Sequence, residues 1–129
     1  MFSTLGTLVY SENPYKLIVQ LDNNIGLLYR SLCPKYFNIK PPKYPTHISV
    51  VRNEIPTRLF IWRKYQNKEI SVNYNNYIFN DNIYFWLEAF SKELENIRLE
   101  LGLENISKYT QSPDKKCKFH ITIGNLKNT

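Results

Sequence analysis

The chain has 129 residues, 43% of them apolar and 15% aromatic, which suits one domain with a core that needs neither disulfide nor metal and excludes a disordered chain. A formal charge of +6 favours an anionic partner such as a nucleotide, an RNA or another phosphate ester, although the basic residues (Lys35, Lys40, Lys43, Arg52, Arg58, Arg63, Lys64, Lys115, Lys116, Lys118) are dispersed and build no basic tail. No secretory leader and no apolar run of the ~18 residues a membrane helix needs is visible, and Cys33 and Cys117 match no zinc or redox spacing; a reduced cytoplasmic monomer is expected, without disulfide, metal or cofactor.

In chain order, Leu5–Tyr10 and Lys16–Leu21 are β-prone runs around the turn signal Ser11-Glu12-Asn13-Pro14, and predict a hairpin. Asp22 or Asn23 is placed to cap a helix over Asn24–Cys33, with Ile25, Leu28 and Leu32 at helical spacing and Pro34 as the stop. Phe37–Pro45, with three prolines, predicts an irregular connection. Strands are then expected at Leu59–Trp62, Glu69–Tyr74, Tyr77–Phe79 and Ile83–Leu87, separated by Asn- and Asp-rich turns. Ser91 reads as the N-cap of a helix to about Leu101, with an apolar face of Phe90, Leu94, Ile97 and Leu101 and Gly102 at its end. A polar loop, Glu104–Lys118, follows.

Two tetrads carry the chemistry: His47-Ile48-Ser49-Val50 and His120-Ile121-Thr122-Ile123. In a strand, alternate side chains share a face, so His47 lies with Ser49 and His120 with Thr122, while the apolar residues turn to the core. These are both of the chain's histidines. Imidazole titrates near neutrality, so two of them can serve as base and acid of one reaction while hydroxyls hold the reacting group. A lone His-x-Thr in a strand is commonplace; a matched pair, one per half of the chain, is not. Cys117 and His120 would point to opposite faces of an extended strand, which argues against a zinc site.

Paired His-x-Thr/Ser motifs in a small basic α+β chain resemble the 2H phosphoesterase superfamily. Its members include LigT-like RNA phosphodiesterases, cyclic nucleotide phosphodiesterases, and viral or phage enzymes that destroy 2′-5′ or cyclic oligonucleotide signals. The resemblance implies an α+β fold over residues 1–129: a single two-lobed domain with antiparallel sheets and pseudo-twofold symmetry around a central cleft. It places the catalytic residues at His47, Ser49, His120 and Thr122. It also implies metal-independent cleavage of a nucleotide or oligonucleotide phosphodiester, with viral counter-defence or RNA-end processing as settings. Ser49 stands where the family more often has threonine, and the chain is short for the family.

For the substrate, Lys118 shares strand parity with His120 and is expected to meet phosphate. Tyr44, Trp86 and Tyr84 are candidates to stack on bases, with core packing as the alternative for Trp86 as for Trp62. Two other function classes remain open: a non-catalytic nucleotide- or RNA-binding module, and a structural protein in which the histidines do not meet.

Overall fold

The computed structural model describes residues 1–107 and 117–127. The hairpin forms as β1 (Phe2–Ser11) and β2 (Lys16–Gln20), paired antiparallel from Thr7↔Gln20 to Ser11↔Lys16. Alternation sets their faces: Leu8, Tyr10, Leu17 and Val19 point into the core. Asp22 caps α1 (Asn23–Ser31), its carboxylate accepting from the Asn24 amide at 2.9 Å. Within α1, a Cβ on Gly26 would stand 2.7 Å from the Thr46 hydroxyl, so glycine lets the helix lie against the residue before His47.

The 37–45 connection is largely irregular, touching β structure through a Lys40↔Asn125 bridge, and leads into β3 (His47–Val51). β4 (Glu69–Tyr74), the two-residue β5 (Phe79–Asn80) and β6 (Tyr84–Phe90) follow. Ser91 caps α2 (Lys92–Glu100) by accepting from the Leu94 amide, and Leu94, Ile97 and Leu101 are buried as the periodicity requires. β7 (Phe119–Asn125) carries the second motif. Much of the predicted Glu104–Lys118 loop, with Lys115 and Lys116, lies outside the described residues.

The strands do not form two lobes. They are hydrogen-bonded in the order β4-β1-β2-β3-β7-β6, and β6 pairs back onto β4 through Asn73↔Phe90 and Tyr74↔Ala89. This closes a six-stranded antiparallel barrel in a mostly β structure, 36% strand and 20% helix among the described residues, and corrects the expected two-lobed α+β fold. The cause is the double use of β1 and β4. The ten residues of β1 pair with β2 along one part and with β4 from Phe2↔Tyr74 to Thr7↔Glu69 along another. With β4 also joined to β6 the six strands close on themselves, and the two-residue β5 is attached to β6 alone. Leu8, Leu17, Val19, Ile48, Val72, Leu87, Ala89, Ile121 and Ile123 fill the interior.

A second correction concerns Leu59–Trp62, which is not a strand but a 3₁₀ turn at Leu59–Ile61. Tertiary packing overrides its β-prone composition. Trp62 lies edge-on to Tyr10 (4.9 Å) and Tyr15 (5.2 Å), and its indole N–H donates to Glu12.

Candidate functional site

β3 and β7 are neighbours in the barrel wall, paired antiparallel at Ile48↔Ile121. Continuing that antiparallel register by one residue in each direction sets His47 opposite Thr122 and Ser49 opposite His120. The inward residues Ile48, Val50, Ile121 and Ile123 are at most 2% exposed, so the four motif residues stand together on the outer face. Each histidine has the other motif's hydroxyl directly across from it. The two histidines occupy diagonal positions, whose backbones typically lie about 7–8 Å apart. The motif strands therefore meet side by side in one wall, rather than across a cleft between lobes.

Pairing extends the two rows outward. Gln20, His47, Thr122, Trp86 and Phe79 make one, and Ile18, Ser49, His120 and Glu88 the other.

A β-bulge falls on the last residue of each tetrad. In β3, Ile18 pairs Ser49 but Leu17 pairs Val51, leaving Val50 as the additional residue. In β7, Trp86 pairs Thr122 but Phe85 pairs Gly124, leaving Ile123. Strict alternation would bury Arg52. Instead Val50 and Val51 are both buried, and the parity shift returns Arg52 to the face that carries His47 and Ser49. Among the described residues no carboxylate pairs with the Arg52 guanidinium. Sequence parity could not find this residue, because an inserted bulge is invisible to a period of two.

The surroundings of both imidazoles lower their pKa values. Burial lowers the His47 pKa below the usual 6.5; the Pro45 carbonyl works in the opposite direction, and the charges of Lys16 and Arg52 reinforce the drop. His47 Nδ1 is 2.7 Å from that carbonyl. A carbonyl only accepts, so Nδ1 carries the hydrogen and Nε2 is free for chemistry. His120 is pushed down to about 4, chiefly by burial, then by Arg52 and His47. Both imidazoles are thus neutral at pH 7, and a bound anion would raise both.

The expected substrate residues fall in different surroundings. Lys118 precedes β7, and its ammonium is bonded to Glu95 at 2.6 Å. Tyr44 is 53% exposed, with the ammonium of Lys16 4.6 Å from its ring centroid. Trp86, beside Thr122, is covered and lies against Phe79 with rings 18° from parallel; its indole N–H has no hydrogen-bond partner among the described residues. Tyr77 also packs on Phe79, at 4.6 Å between ring centroids, and is exposed. Tyr84 lies under the Lys127 ammonium. Lys16 and Arg52, the cations that act on the histidines, are the site residues that sequence reasoning did not single out.

Cys33 and Cys117 are not joined in a disulfide, and the Cys117 thiol lies against the Ala89 and Phe119 carbonyls. Among the described residues no three His, Cys, Asp or Glu side chains converge on one point, and no helix is long and apolar enough to cross a membrane. Comparison of the chain with known families, curated proteins and solved structures finds no match.

Proposed function

We propose that the chain is a metal-independent phosphodiesterase that cleaves a nucleotide or oligonucleotide phosphodiester, with His47 and His120 as its proton carriers. The interlocked quartet carries this reading: His47 opposite Thr122 and Ser49 opposite His120, on one outer face. Two imidazoles on one diagonal and two hydroxyls on the other suit a single tetrahedral phosphate. Ser49 and Thr122 would donate to its non-bridging oxygens, and the Arg52 guanidinium would add the charge that a phosphodiester anion needs. The resemblance to 2H phosphoesterases supports the same chemistry on the same four residues.

The active state of the pair holds one proton. It rests on His47, because the Pro45 carbonyl stabilises a positive ring there and His120 is the more strongly depressed. Neutral His120 then takes the proton from the attacking oxygen, of water or of a ribose 2′-hydroxyl, as that oxygen forms its bond to phosphorus. The bond from phosphorus to the leaving oxygen breaks, and His47 Nε2 gives that oxygen its proton. The pair ends with its proton on His120, and exchange with solvent resets it. A 2′-hydroxyl nucleophile leaves a 2′,3′-cyclic phosphate; water leaves a monoester.

The test is incubation with linear 2′-5′, linear 3′-5′ and cyclic oligonucleotides in excess EDTA. Hydrolysis of one class is expected. Binding without cleavage would replace this reading with a binding module, and cleavage only with an added divalent ion would contradict the mechanism.

A further inference from the structure

Among the described residues the most buried charged side chain is Arg98, 1% exposed in the last turn of α2. Its Nη1 donates to the Val50 carbonyl at 2.7 Å, and Nη1 and Nη2 form a fork on the Glu54 carboxylate at 2.9 and 2.8 Å. Its Nε donates to the Glu104 carbonyl. Val50 is the bulged residue of β3, three after His47, and Glu54 lies two beyond Arg52. Arg98 therefore grips the chain on both sides of Arg52.

The same device occurs a second time. Arg30, in the last turn of α1, donates from Nη1 to the Ile123 carbonyl at 2.8 Å. Ile123 is the bulged residue of β7, three after His120. Two unrelated helix sequences thus supply an arginine to the bulge at the same offset from each histidine. A stabilising ion pair has no need of that offset, and a device that aims the motif strands does.

We propose that Arg98 is a positioning residue: by fixing the Val50 bulge and Glu54 it holds the Arg52 guanidinium on the face of His47 and His120, where that guanidinium takes the substrate phosphate. The role in phosphate binding rests on the phosphodiesterase reading; the placement of Arg52 does not. Bulges that re-aim a side chain are typical beside active sites, and a planar five-donor guanidinium can hold a carbonyl and a carboxylate together where an ammonium cannot.

The chain's two histidines make the test direct, because each ring gives its own NMR titration in the free protein. The groups facing them are Lys16 at the start of β2, Arg52 after β3, Glu88 on β6, Lys118 before β7, and each other. R52A should raise both histidine titrations, since the Arg52 charge lowers both. R98K keeps the buried charge but not the fork. It should raise both titrations as R52A does, and the double variant R52A/R98K should match R52A alone. On the best phosphodiester, R98K should lose roughly 10–100-fold in kcat/KM, the scale of a misplaced binding group. E54Q is the second variant, read on the folded fraction if R98K unfolds, and should raise the titrations in the same direction. Folded R98K and E54Q with both titrations unmoved, beside an R52A that moves them, would make Arg98 a purely structural residue and overturn the proposal. An R52A that moves neither would overturn it as well. A wild-type protein that cuts no phosphodiester would sink the enzymatic reading while leaving the titration result to stand.

Discussion

His47 and His120 begin from the same side chain and differ by their neighbours. One donates to a backbone carbonyl, and the other sits deeper and under the charge of the first. Because both are depressed, the singly protonated pair exists in acid. The kcat/KM profile should be a bell lying between about 4, set by His120, and the ordinary 6.5 below which His47 has been driven. A pH–rate series checks this, and an optimum on the alkaline side of neutrality would contradict it. That His47 shares a face with Ser49, and His120 with Thr122, was legible in the sequence because two residues apart on a strand means one face; that the two pairs meet side by side in one wall was not. Arg52 was not, since the Val50 bulge reverses the parity that places it. Nor was the engagement of Lys118 by Glu95, which depends on how α2 docks.

The helix ends follow local rules, although α1 buries Gly26 and Tyr29 and leaves the expected face residues Leu28 and Leu32 exposed. Asp22 and Ser91 cap the two helices as their residue types suggest, and Gly102 ends α2 at φ 80°. S91A should therefore cost about 1 kcal/mol in urea unfolding. It should leave kcat unchanged, because the Ser91 hydroxyl serves the Leu94 amide rather than the site. A loss of activity without a loss of stability would place Ser91 in the chemistry and contradict that division. Leu59–Trp62 shows where local rules fail. Its composition is that of a strand, but the aromatic contacts of Trp62 with Tyr10 and Tyr15, and its bond to Glu12, stabilise a turn instead.

At the scale of the molecule, the hairpin and the motif strands could be read from pattern, whereas the closure could not. It depends on β4 pairing with both β1 and β6, and pairing partners far apart in sequence leave no periodic trace. Closure presents one continuous wall on which the two motifs become neighbours. That wall buries imidazoles that ionise more readily in the unfolded chain. Between pH 6.5 and about 4 the unfolded state binds more protons than the native state, so stability should fall as pH is lowered through that window. Urea titrations across it should show the slope, and H120Q should reduce it; an unchanged slope would mean that His120 titrates alike in both states. The central claim is that the two histidines act as one unit, and the most direct measurement is the rate of phosphodiester cleavage in excess EDTA by wild type, H47A, H120A and the double variant. Each single variant should lose about 10²–10⁴-fold, and the double variant should be little slower than either. Near-full activity in either single variant, or losses that multiply in the double, would contradict it.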